Sequence, residues 1–255
     1  MIDLNKYLIF NFVTGERTKD LSTYCFQQLG FENIVNIENN ESFHKKYLKF
    51  AELAVESNFD YFIRSDADRL VFDGLIDLIQ YYEANKELSN ITGKFFDYFM
   101  NNFRGGTPSF FKRNTLEELV LNPSCIGDNQ KPETQFGRYL ESMPDKFICK
   151  NVNIFTNLHE YEQFPSKVCN VFINRFSRNH QHLYDSRYLN TLPDEYKIAI
   201  STANHYFNKN GSKKTMSFLD FKDLDSNYPH IHEDDIPKLY KKYKDLYFKI
   251  KERHK

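Results

Sequence analysis

The 255 residues suit one large domain, or one domain with a C-terminal appendage, and 40% hydrophobic with 27% charged residues is the balance of a soluble protein with a real core. A formal net charge of −1 gives no global attraction to nucleic acid. No run of about 18 apolar residues occurs, which excludes a membrane-spanning helix.

The first half alternates strand and helix patterns. Tyr7 to Phe12 is a short apolar run, the mark of a buried strand, and Gly15 breaks it. Leu21, Cys25 and Leu29 then keep helical spacing from Thr18 up to Gly30. Asn33 to Ile37 reads as a second strand and Asn39-Asn40 as a turn. Ser42 is placed to N-cap a helix carrying Tyr47, Phe50, Ala51, Ala54 and Val55 on one face. Asp60 to Ser65 is a third strand, ending in Asp66-Ala67-Asp68, and another helix runs from Asp73 through Leu75, Leu78, Ile79 and Tyr82. Repeated strand–helix–strand units predict an α/β fold of the Rossmann type, a mainly parallel sheet flanked by helices. Ligands of such sheets sit beyond the carboxyl ends of the strands, where the acidic triplet lies.

The middle changes character. Gly93 to Met100 reads as a strand, Gly105-Gly106-Thr107-Pro108 as a loop, and Ser109 to Phe111 as a short strand. Thr115 to Leu121 is a short helix, Asn122 to Pro132 a loop, and Thr134 to Leu140 a helix. Short strands and loops follow from Lys150. Asp234 to Lys255 is a basic amphipathic helix with Leu239, Tyr243, Leu246, Tyr247 and Ile250 on one face.

Cys25, Cys125, Cys149 and Cys169 are scattered with no Cys-x-x-Cys pair, so they read as reduced thiols of a cytoplasmic protein and not as a zinc site. The N-terminus lacks the basic-then-apolar layout of a secretion signal. The 25 Phe and 17 Tyr, beside no Trp, fit an AT-rich coding bias and carry little about function.

Asp66 and Asp68 carry the chemistry. Residues two apart on a strand point the same way, so both carboxylates can converge on one cation at the strand end. Oxygen ligands suit Mg²⁺ or Mn²⁺, with a diphosphate completing the shell. The run Phe59 to Asp68 resembles the Asp-x-Asp strand of inverting glycosyltransferases of the GT-A fold, family 2. Three further stretches keep that family's order. Lys46, twenty residues before Asp66, is similar to the Lys of a Gly-Lys-Ala-x-Ala-Leu-Asn stretch, without its Gly and Asn. Phe103 to Arg113 resembles the Gly-rich acceptor loop, strand and basic pair. Pro132-Glu133-Thr134-Gln135-Phe136-Gly137-Arg138 is similar to the Glu-Asp-x-x-Leu-Gly-x-Arg motif. The resemblance covers roughly residues 5 to 140.

It implies a compact, metal-dependent enzyme that moves one sugar per event from a nucleoside diphosphate donor, UDP-linked by preference, to a glycan or lipid-linked glycan, with inversion. Capsule or lipopolysaccharide assembly is the associated pathway. Asp66 would hold the ribose or the metal's water and Asp68 the metal. Glu133 takes the place of the base, with Asp128 its rival because Pro132 replaces the motif's first acid. Lys46, Arg17 and Arg113 are candidate cations for the leaving diphosphate, and Thr14 and Arg17 stand in the loop after the first strand. Gly105, Gly106, Thr107 and Arg113 would shape the acceptor side. His180 and His182 are offered as the imidazole completing the metal shell, with His159 a weaker choice. His230-x-His232 with Glu233-Asp234-Asp235 reads instead as the acidic start of the last helix. Residues 1–230 then form the transferase domain, with 1–100 binding the nucleotide sugar and 101–230 the acceptor, and 231–255 the helical extension.

That helix, rich in Lys, offers peripheral contact with anionic lipid at the inner face of a membrane, although an ordinary surface helix is the favoured reading. Two other functions share the fold. A sugar nucleotidyltransferase would want a Gly-rich basic loop after the first strand, where Val13 to Arg17 has one Gly and one Arg. A nucleotide-sugar-binding protein without catalysis would be favoured by loss of Asp66 or Asp68, and both are present.

Overall fold

The computed structural model describes residues 2–38, 42–98, 102–127, 131–169, 197, 201, 225–226 and 228–253. The chain forms two compact units, Met1–Tyr161 with Glu233–Lys255, and Glu162–His232. In the second unit the Ser166 amide and hydroxyl both donate to the Asp225 carboxylate, at 2.9 and 2.5 Å. All elements below belong to the first.

β1 (Tyr7–Val13) is buried along its whole length, as a continuous apolar run demands of a strand covered on both faces. It pairs in parallel with β2 (Ile34–Glu38) and β3 (Tyr61–Asp66), and α1 (Lys19–Gln28) and α2 (Phe43–Glu56) make the crossovers. Ser42 caps α2 by accepting from the Lys45 amide at 3.4 Å. The helix starting near Asp73 is α3 (Gly74–Ala84).

The seven strands run in the order β2-β1-β3-β6-β5-β7-β4, with β4 at Arg69–Val71, β5 at Asn90–Asp97, β6 at Asn102–Lys112 and β7 at Cys149–His159. The result is an α/β fold, one sheet flanked by helices. The parallel pairing of β2, β1 and β3 follows the expectation, but the sheet beyond β3 is mixed. β3–β6, β6–β5 and β7–β4 are antiparallel, and β5–β7 is parallel. So few residues separate Asp97 from Asn102 that only an antiparallel return fits.

Two further expectations are corrected. Gly105 to Pro108, read as a loop, lies inside the continuous strand β6. Gly106 pairs with Gly93 and Ser109 with Thr92, so Thr107 and Pro108 fall where the register shifts and no ladder amide is needed from proline. β7 is one 11-residue strand rather than short pieces. Its polar residues hide the pattern because they donate to neighbouring strands: Thr156 Oγ1 donates to the Lys94 carbonyl at 3.0 Å and Asn157 Nδ2 to the Thr107 carbonyl at 3.0 Å.

Leu8, Phe10, Phe12 and Phe62 form one face of the sheet's core, covered by Phe50 of α2, Leu116 of α4 (Arg113–Leu121) and Phe136 of α5 (Pro132–Glu141). Many of the described Phe rings are therefore core, each buried ring contributing about 1.5–3 kcal/mol. On the other face Tyr7, Tyr61, Phe110 and Tyr82 of α3 interlock. The C-terminal helix α6 (Ile236–Arg253) returns to this unit through Ile236, Tyr243, Tyr247 and Ile250, while Leu239 and Leu246 are only half-buried. Tyr247 Oη donates to the Phe155 carbonyl at 2.7 Å and accepts from the Gly74 amide at 3.1 Å. A Cβ at Gly74 would lie 1.8 Å from that carbonyl, so only glycine lets α3 start there. Lys244 and Lys251 reach Asp73 and Asp77 at 3.6 and 3.1 Å. No described helix is long and apolar enough to cross a membrane.

Candidate active site

The site grows from the carboxyl end of β3. Asp66 is the last residue of that strand, and the chain turns at Ala67-Asp68 before β4 pairs with β7. The turn is pinned by Ala67 N donating to the Phe12 carbonyl at 2.9 Å and Thr18 Oγ1 donating to the Ala67 carbonyl at 2.7 Å. Asp66 and Asp68 are thus not two same-facing positions of one strand, and their surroundings differ. Asp66 Oδ1 accepts from Arg64 Nη2 at 2.5 Å and Oδ2 from Thr107 Oγ1 at 3.0 Å. Asp68 instead faces β7, with His159 Nε2 3.5 Å from its Oδ2.

Register explains that meeting. Arg69 pairs with His159 across β4 and β7, and Asp97 pairs with His159 across β5 and β7. Asp68, His159 and Glu160 therefore gather with one ligand atom each inside 4.8 Å of one another. Glu160 N donates to the Asp68 carbonyl at 3.0 Å, and Glu160 holds φ +65, a left-handed conformation that costs a non-glycine residue about 1–3 kcal/mol. Two carboxylates and an imidazole at this spacing fit a divalent cation of the Mn²⁺ or Mg²⁺ kind. Behind them the fully buried Asp97 lies 3.3 Å from His159 Nδ1 and 3.2 Å from Arg104 Nη1, which orients the ring. Burial and the Arg69 charge push the His159 imidazole down and Glu160 and Asp68 push it up, with a net upward shift.

Asp66 also borders a cavity of about 620 Å³. Arg64, Arg69, His159 and the β6 segment from Gly105 to Thr107 line one side, and Glu133 of α5 lines another. Burial pushes the Glu133 carboxyl above its ordinary value, against the pull of Arg64, and its Oε2 meets no hydrogen-bond partner among the described residues. Arg64 is 2% exposed and sits over the rings of Phe12, Phe43 and Tyr47 at 4.7, 5.1 and 5.8 Å. Those aromatics replace water around a guanidinium whose charge Asp66 balances.

Several candidate residues are placed elsewhere. Lys46, expected on the donor side, is fully buried and its Nζ donates to the Val13 carbonyl at 2.6 Å, fixing the end of β1 without lining the cavity. Thr14 and Arg17 lie in the loop after β1, where the Thr14 amide and hydroxyl both donate to the Glu16 carboxylate, and neither lines the cavity. Arg113, read as part of the acceptor side, stands at the opposite end of β3. Its guanidinium donates to the carbonyls of Val55, Ser57 and Phe59 at 2.7, 2.6 and 2.5 Å, capping the end of α2. Asp128, His180 and His182 lie outside the described residues.

Arg64, Arg69, Asp97 and Glu160 were not singled out from the sequence. Arg64 does carry a signal, a charge directly after the buried run Tyr61-Phe62-Ile63. His159 ends β7 and Glu160 follows it, and Asp97 depends on pairing that only the fold reveals.

No protein-family model and no curated protein matches the chain. Solved structures do. A glycosyltransferase involved in glycosylation of the major capsid of PBCV-1 is similar at 14% identity and TM-score 0.41, over 57% of this chain and 81% of that one. A protein described as a nucleotide-diphospho-sugar transferase, from Desulfovibrio desulfuricans, is similar at 10% identity and TM-score 0.40, over 78% of this chain and 98% of that one. A cytidylyltransferase from Leptospira borgpetersenii is similar at 14% identity and TM-score 0.38, over 83% of this chain and 99% of that one. At this level a likeness concerns the course of the chain and not the chemistry of a site.

Proposed function

We propose that this protein is a metal-dependent glycosyltransferase that moves one sugar from a nucleoside diphosphate donor, UDP-linked by preference, to a glycan acceptor with inversion. The observation that carries the reading is the cavity itself. A buried carboxyl with a raised pKa, Glu133, borders the same space as the acidic end of β3. Glu133 would accept the proton of the acceptor hydroxyl as that oxygen bonds to the anomeric carbon and the bond to the diphosphate breaks on the opposite face. Asp68, His159 and Glu160 would hold a divalent cation, which neutralises charge on the leaving nucleotide. Gly105, Gly106 and Thr107 give the acceptor side a wall of small side chains, and Thr107 also fixes Asp66.

The test is thermal stability of wild type and Asp68→Ala with a panel of nucleoside diphosphates, with and without Mn²⁺. Ligand at 100 times its Kd adds about 2.7 kcal/mol. Metal-dependent stabilisation by one nucleotide, lost in the variant, supports the reading and identifies the donor class. A folded wild type that no nucleotide stabilises rules it out.

A further inference from the structure

Arg69 is 7% exposed, and a charge taken so far from water normally has its donors filled. Its Nε lies 3.7 Å from Asp68 Oδ1 and 4.0 Å from Asp66 Oδ2, close enough for attraction and too far for hydrogen bonds. Neither Nε nor Nη1 meets an acceptor among the described residues. The side chain is nevertheless fixed. Its guanidinium lies 3.9 Å from the centre of the Phe95 ring. That ring is backed by Gly106, where a Cβ would come within 2.9 Å of it, and by His159 at 5.0 Å. Arg64, on the other oxygen of Asp66, also has an Nε with no acceptor among the described residues. Two guanidinium groups thus flank one carboxylate at the wall of the cavity, one of them with two buried donors that meet no acceptor among the described residues.

We infer that Arg69 forms an oxyanion-binding subsite within the cavity, one that takes phosphate or carboxylate oxygens directly and without a metal ion. The planar fork of arginine suits both groups, and the aromatic ring beneath it preorganises the donors. The oxyanion has two sources: the diphosphate of a nucleotide donor, or a carboxylate carried by a sugar. The subsite goes beyond the transferase reading and does not depend on it.

The test measures ligand affinity by calorimetry in EDTA, on the full chain, for wild type, Arg69→Gln and Arg69→Lys. One arm compares UDP with UMP, and inorganic pyrophosphate alone. The other compares glucuronate with glucose. A hydrogen-bonded charge makes the better-matched anion of at least one pair bind about tenfold more tightly in wild type. That preference disappears in Arg69→Gln and is partly kept in Arg69→Lys, which retains charge but not the fork. Whichever arm responds identifies the source. No preference in either arm, or one that survives Arg69→Gln, overturns the subsite. Should Arg69→Gln not fold, undiminished preference in Arg69→Lys overturns it equally. Glucuronate or pyrophosphate binding in EDTA, with no nucleotide stabilising the protein even when Mn²⁺ is present, would keep the subsite and remove the transferase.

Discussion

The two ends of β3 each have an arginine beside them, and the two are used in opposite ways. At the amino end Arg113 spends its donors on the last carbonyls of α2 and the segment after it, Val55, Ser57 and Phe59, with Asp60 at 3.4 Å. At the carboxyl end Arg69 is buried with Nε and Nη1 meeting no acceptor among the described residues, beside a cavity also lined by Glu133, whose buried Oε2 meets no partner among those residues either. A helix end needs its carbonyls capped, so Arg113 completes the fold. Buried donors and acceptors without partners beside a cavity mark where a ligand could complete them. The residue type is the same, and the available acceptors decide whether it stabilises or binds.

The largest effect that would break this contrast lies at the open end. Glu133→Gln keeps the shape of the side chain and removes the base, so turnover should fall about 10²–10⁴-fold while unfolding and donor binding stay as in wild type. Steady-state kinetics beside a nucleotide titration measure this. A base works deprotonated, and burial raises the Glu133 pKa, so the acid limb of the rate profile should sit above the ordinary carboxylate range. Equal loss of binding and turnover would instead make Glu133 a structural residue.

At the closed end the prediction reverses. Arg113→Ala leaves three carbonyls without their donor and should cost about 2–3 kcal/mol in urea unfolding. Nucleotide affinity should not change. A variant that folds normally but binds ligand poorly would place Arg113 back on the acceptor side.

The same two ends show what the sequence could tell. The strands β1, β2 and β3 and helices α1, α2 and α3 were legible because each repeats its apolar residues at its own period over one continuous stretch. Asp66 was legible because a carboxylate follows the buried run Tyr61-Phe62-Ile63. The mixed half of the sheet was not, since Thr156 and Asn157 are polar residues buried by virtue of partners on β5 and β6. His159 and Glu160 reach Asp68 only through the β4–β7 register, a pairing of segments some ninety residues apart. Lys46 and Arg113 carry charges that the family resemblance assigns to a ligand. Only the nearby carbonyls of Val13 and Val55 show that backbone takes them.

An intermediate effect sharpens the metal reading. A ligating imidazole must be neutral, and the His159 pKa is raised by Glu160 and Asp68 against burial. Protons therefore compete below that raised value, and Mn²⁺ affinity should weaken about tenfold per pH unit on the acid side. Calorimetric titration with Mn²⁺ across pH measures this. His159→Gln should flatten the slope, and an unchanged slope would remove the imidazole from the metal's shell.

The smallest effect joins the two ends, because α2 runs between them. Its first turn is capped by Ser42 and carries Phe43, whose ring meets Phe12 at 6.0 Å and lies under Arg64 at 5.1 Å. Its last turn is capped by Arg113. Ser42→Ala removes an exposed and long hydrogen bond, so unfolding should become easier by about 0.5–1 kcal/mol, less than for Arg113→Ala. Fraying at this end loosens Phe43 beneath Arg64 and hence the cavity wall. Ligand affinity should therefore drop a few-fold in Ser42→Ala and hold in Arg113→Ala, although the second variant is the less stable. Thermal unfolding and nucleotide titration on both variants decide it. Affinity that simply tracks stability in the two would mean that the open end has no binding role of its own.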